Sequence, residues 1–146
     1  MTARTTLRRR LTAGTVICPA GAPALDGGHR VVTVTYRVSD PFAVELDVPD
    51  GAISVVWLIG RELLTEGMNH GVGPGDVYVT PAVKDDAVIW IALFDPEGSG
   101  SCHLAFKRAE LERFLDESDA MVPAGTEATR INWSRELGLL AGGEVA

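Results

Sequence analysis

Two eight-residue runs, 52–59 and 87–94, carry apolar side chains on both faces of a β-strand. Ile53, Val55 and Trp57 fall on one side of the first run, and Val56 and Leu58 on the other. In the second, Val88 and Trp90 oppose Ile89, Ile91 and Leu93. A strand apolar on both sides needs a covering layer on each. A chain of 146 residues has few helices to supply both layers. A second copy of the chain is therefore the expected cover, with Val56, Leu58, Ile89, Trp90 and Ile91 as the candidate oligomer interface. A tightly folded sandwich or barrel is the competing account. Eight residues are too few to cross a bilayer as a helix.

The remaining periodicity is that of a strand-dominated α+β domain. Val32, Val34, Tyr36 and Val38 alternate with Thr33, Thr35 and Arg37, which predicts a half-buried strand. Asp40-Pro41 makes a turn, and Phe42, Val44, Leu46 and Val48 form the inward face of the next strand. Pro49-Asp50-Gly51 turns the chain into residues 53–59. Further strands are expected at 76–79 and 102–107. Residues 61–66 read as a short helix stopped by Gly67. Leu111, Phe114 and Leu115 stand at helical spacing over 108–118. Leu137, Leu140 and Ala141 repeat that spacing after Ser134, a candidate N-cap.

Charge divides the chain. Residues 1–30 carry five arginines against one aspartate, a net +4, whereas residues 31–146 sum to -11. Arg8, Arg9 and Arg10 precede a stretch too short and too broken by Thr and Gly for an export signal. Residues 1–14 are expected to be a flexible basic arm, and 15–146 one domain. An acidic body repels a phosphate backbone, so nucleic acid is not an expected partner. Cys18 and Cys102 read as two reduced thiols, not a disulfide framework.

The usual catalytic constellations do not emerge from the sequence. His29, His70 and His103 lack second ligands at metal-binding spacing. Gly71-Val72-Gly73-Pro74-Gly75 leads into a strand, whereas a phosphate loop leads into a helix. No Gly-x-Ser-x-Gly elbow is present. Arg61-Glu62 is either a functional charge pair or, as the reading favours, a tie between helix and strand. Trp133 is weighed evenly between packing and service as an exposed anchor.

Five motifs in order carry a resemblance: Tyr36-x3-Asp40-Pro41-Phe42, Trp57-x3-Arg61-Glu62-Leu63-Leu64-x2-Gly67, Gly75-Asp76-Val77, Phe114-Leu115, and Val122-Pro123-x-Gly125-x-Glu127. Together they resemble the SsgA-like proteins, sporulation and cell-division regulators of mycelial actinobacteria. That resemblance implies antiparallel sheets packed at an angle, a whirly-like sandwich or open barrel, with short helices at one end and a trimeric assembly. It implies a non-enzymatic cytoplasmic regulator recruited to division septa, with no cofactor and no membrane insertion. The implied action is recruitment of the tubulin-like protein FtsZ, septum-site control or peptidoglycan handling. Expected partners are further copies of itself, FtsZ, other SsgA-like proteins or a membrane-bound division protein. Arg61, Glu62, Glu66 and Trp133 are the candidate partner contacts. A single-stranded nucleic-acid-binding trimer of the whirly kind is the alternative. Phe42 stands where the family usually has Tyr, and Leu58-Ile59-Gly60 departs from its frequent pattern after Trp57.

Overall fold

The computed structural model describes residues 4–131. Seven antiparallel strands form one sheet that curls around a core: β1 (Thr6–Pro19), β2 (Leu25–Arg37), β3 (Asp40–Asp50), β4 (Ile53–Gly60), β5 (Val77–Pro81), β6 (Val88–Phe94) and β7 (Gly100–Lys107). The spatial order is β4-β3-β2-β1-β7-β6-β5. Helix α1 (Arg61–Gly67) follows β4, α2 (Arg108–Met121) follows β7, and a single 3-10 turn spans Glu127–Arg130. The expected strand-dominated antiparallel architecture with short helices is borne out, in the form of one continuous sheet.

The concave face buries Leu11, Val32, Val34, Tyr36, Val44, Leu46, Ile89, Ile91, Leu104 and Phe106. One end of the curl is plugged by Leu64 of α1 and by Leu111, Phe114 and Leu115 of α2. Register keeps these side chains on one face, because a slip of one residue would turn each of them outward. Gly67 is needed where α1 meets β5, since a Cβ there would lie 2.2 Å from Val79 Cγ1.

The basic N-terminus departs from expectation. Thr6–Pro19 is not an arm but the central strand of the sheet, pairing with β2 along Thr6 to Ile17 and with β7 from Gly14 to Pro19. Leu7, Leu11 and Ala13 point into the core. Arg8 and Arg10 alternate with them onto the convex face, the ordinary period of a strand. Arg9 has inward register but reaches over the sheet to an ion pair with Glu117 on α2.

A second correction concerns the expected interface. Ile89 and Ile91 are fully buried in the core of this one chain. The curl itself covers that face of β6, which lies second from the sheet edge. Trp90 faces the convex side and is half-buried. Val56 and Leu58 are exposed, at 52% and 61%.

Removing residues 1–12 should therefore unfold the protein instead of trimming a tail. The truncated chain should lose cooperative thermal unfolding in circular dichroism. A truncation that melts like the parent would show that β1 is dispensable. A milder change, Leu11→Ala, should cost about 2–5 kcal/mol, the usual range for a buried leucine.

Candidate functional site

Arg61, the first residue of α1, is buried to 3% exposure and joins four separated parts of the chain. Its guanidinium lies 4.8 Å from the centre of the Tyr36 ring on β2. One terminal nitrogen donates to the Ser118 carbonyl at 3.2 Å and to Ser118 Oγ at 3.4 Å, and lies 3.4 Å from the Asp119 carboxylate on α2. The other donates to Glu127 at 2.5 Å. Tyr36 Oη donates to the Pro41 carbonyl at 2.9 Å, tying the β2–β3 turn to the same node. Gly125, at φ 88°, bends the loop so that its own N–H reaches the Glu127 carboxylate.

The environment sets the charges. The Arg61 hydrogen bond holds the Glu127 carboxyl below its ordinary value of 4.5. Burial pushes Asp119 up, against the opposing pull of Arg61. Burial likewise raises the Tyr36 phenol. Both terminal nitrogens of Arg61 are thus paired with groups of its own chain, which is the arrangement that makes a buried cation tolerable. Its chemistry is structural.

The residues singled out from sequence do not all come together. Tyr36, Pro41, Arg61, Gly125 and Glu127 meet at this node. Asp40 begins β3, and Phe42 is exposed beside α1. The Asp76 carbonyl accepts the Phe94 N–H at 2.8 Å, so Gly75-Asp76 is a turn that starts β5. Pro123 O accepts from Thr126 at 3.0 Å and caps the last described loop. Trp57 is half-buried at the opposite end of the curl. Trp133 and the expected C-terminal helix lie outside the described residues. Arg61 is thus almost wholly buried, whereas Glu62 and Glu66 are exposed. These two carboxylates, with Phe42, Gly60, Arg61, Leu63 and Glu127, line a shallow groove of about 480 Å³. Ser118 and Asp119 were not anticipated, since no motif in the sequence sets them apart from other polar residues of α2.

The chain is similar in sequence and in fold to sporulation-specific cell division proteins. It belongs to the SsgA family: the family model for the Streptomyces sporulation and cell division protein SsgA matches residues 31–127. It is 39% identical over 104 residues to the sporulation-specific cell division protein SsgB of Streptomyces coelicolor, covering 70% of this chain and 74% of that protein. SsgB of Frankia casuarinae is 34% identical over 132 residues, covering 88% and 87%. Among solved structures, an SsgA-like sporulation-specific cell division protein from Thermobifida fusca superposes with a TM-score of 0.70 at 27% identity, over 94% of this chain and 98% of that one. A chain from work on SsgB mutations that correlate to longitudinal cell division during sporulation of Streptomyces coelicolor gives 0.68 at 29% identity, over 88% and 99%. These relatives support a role in sporulation-linked cell division. No helix among the described residues is long and apolar enough to cross a membrane.

The node makes two measurable predictions. Arg61→Ala should destabilise by about 1–3 kcal/mol, because it takes a partner from the buried Ser118 carbonyl and hydroxyl and from the half-buried Glu127 carboxylate. Glu127→Gln should lower the melting temperature at pH 7. A carboxylate with a lowered folded pKa stabilises above its unfolded value and loses that effect as pH falls through the folded one. The gap between Glu127→Gln and parent should therefore close as pH drops below about 4.5. Parallel melting curves at every pH would show that Glu127 carries no charge-dependent role.

Proposed function

We propose that this chain acts at sporulation septa as a non-catalytic adaptor, reaching the septum from the cytoplasm and working through protein–protein contacts. The supporting observation is the ordered motif set of a division-protein family combined with an unpaired acidic edge on α1. Glu62 and Glu66 stand one helical turn apart and enter no ion pair among the described residues. Beside them Phe42 is 48% exposed. Carboxylates around an exposed aromatic suit a polar rim about an apolar anchor. A division protein such as FtsZ, another family member or a membrane-bound division protein is the proposed partner class.

Self-association is part of the same reading. The convex face carries two unlike apolar patches, Val56 with Leu58 on β4 and Trp90 with Phe94 and Tyr78 on β6 and β5. Unlike patches that fit each other make head-to-tail contacts, which close into rings where the rotation between copies closes. A small ring, a trimer, is the assembly proposed.

A fluorescent fusion should form foci or ladders at sporulation septa of the native host. The double variant Glu62→Lys with Glu66→Lys should disperse them while melting like the parent. Uniform fluorescence from the parent fusion throughout sporulation would overturn the septal role. Light scattering at micromolar concentration should give a mass above 15.5 kDa. Leu58→Lys should reduce it to the monomer, and a parent protein that is already monomeric would remove the ring.

A further inference from the structure

The two edges of the sheet are treated differently. At the β5 edge, Val72 pairs with Val79 through two backbone hydrogen bonds of 2.9 Å, and the five-residue strand ends in Pro81. Short strands, prolines and added bridges are the usual means of blocking unwanted strand pairing. The β4 edge carries none of these. It is eight residues long and presents Ile53, Val55, Val56 and Leu58 to solvent. Asp50 pairs with Ile53 across a two-residue turn in which Gly51 takes φ 64°. Residues bounding such a turn exchange both backbone bonds, and the pattern then alternates. Ile53, Val55, Trp57 and Ile59 thus bond to β3, while Ser54, Val56 and Leu58 aim their N–H and C=O groups at the free edge.

Beside that edge the concave face is open. The end of the curl away from the helices holds a cavity of about 670 Å³, lined by Ile17, Val48, Val55, Trp57, Leu93 and Cys102. Burial raises the Cys102 thiol, which keeps that wall uncharged. At the rim stand Asp50, Asp95 and Arg30, and one Arg30 nitrogen is already held by the Pro49 carbonyl at 2.7 Å. The far end of β4 runs through Gly60 straight into α1, beside Glu62 and Glu66.

From this juxtaposition we infer that β4 and the adjoining cavity form a strand-addition site for an extended peptide with one large apolar side chain flanked by basic residues. The free backbone groups of β4 would pair with the peptide, and the cavity would take its apolar side chain. This division of labour between ladder and pocket is common to peptide recognition by sheet edges. Basic flanks match a surface whose acids outnumber its bases along this edge and whose chain carries a net -7. A small apolar ligand would use the cavity but leave the free N–H and C=O row untouched. The inference extends the adaptor reading by naming how a partner segment is held, and it is tested in vitro, independently of septal localisation.

The probe is a fluorescent nine-residue peptide alternating lysine and valine, with tryptophan at its centre, read by anisotropy at physiological salt. It should bind the full chain saturably in the micromolar range. Replacing its tryptophan with alanine should weaken binding roughly tenfold, and a glutamate-for-lysine version should not bind. Ser54→Pro removes an N–H that points away from β3, a position where edge strands tolerate proline. This variant should keep the parent melting temperature and lose the peptide. Val55→Phe, which narrows the cavity, should discriminate against the tryptophan peptide more than the alanine one. Equal binding by parent and Ser54→Pro would overturn the inference in favour of unspecific charge attraction. Loss of self-association in Ser54→Pro would overturn it as well, by giving this edge to a second copy. Absence of binding by all peptides would do the same.

Discussion

A buried guanidinium organises the helical end of this molecule. Moving such a group out of water costs several kcal/mol, and the cost is offset only when carboxylates, carbonyls and an aromatic face surround it. Arg61 obtains those partners from β2, from the last turn of α2 and from the loop at Glu127. Tyr36 and Arg61 lie far in sequence from the other two segments, which are separated only by the loop after α2. The consequence is that the orientation of α1, the end of α2 and the course of the 122–127 loop are specified together. Apolar packing of Leu64, Phe114 and Leu115 holds the same elements but discriminates less between neighbouring arrangements, because hydrophobic contact is non-directional.

That coupling bears on how the charged residues of the family motifs are understood. Arg61 and Glu62 are neighbours in sequence with opposite fates, one inside the molecule and one on its surface. A helix turns by about 100° per residue, so adjacent positions cannot share a face. Arg61 and Glu127 serve the fold, while Glu62 and Glu66 stay on the surface. Substitution at Arg61 would move every element that positions Glu62, so lost function there would not identify a contact.

Much of the sheet was legible because its strands follow simple alternation. Val32 to Val38, Phe42 to Val48 and the two apolar runs all became strands, and the spacing of Leu111, Phe114 and Leu115 gave α2. β1 was missed for a physical reason. Three consecutive arginines mask the alternation of Leu7, Leu11 and Ala13, and Arg9 occupies an inward position only because its long side chain can reach Glu117. The placement of β1 between β2 and β7 is a non-local fact without a local signature. It also decides the fate of Ile89 and Ile91, since a sheet that curls covers its own concave face and needs no second subunit there. Likewise the motif residues of the node could be named from sequence, but their convergence could not. Ser118 and Asp119 acquire their roles solely from where α2 ends.

The charge asymmetry of the sequence also changes meaning once folded. Arg4 and Arg9 pair with Glu117, and Arg37 pairs with Glu45. Such exposed pairs add little stability, but they lay the basic end of the chain across an acidic body instead of projecting it as an arm. Beyond the Debye length of about 8 Å a partner is largely screened from the net negative charge. Close to the surface it meets a particular edge. An unprotected apolar strand is a standing hazard for uncontrolled pairing, and the same sheet demonstrates on β5 how readily that hazard is removed. On β4 it is retained, between an open cavity and two exposed carboxylates.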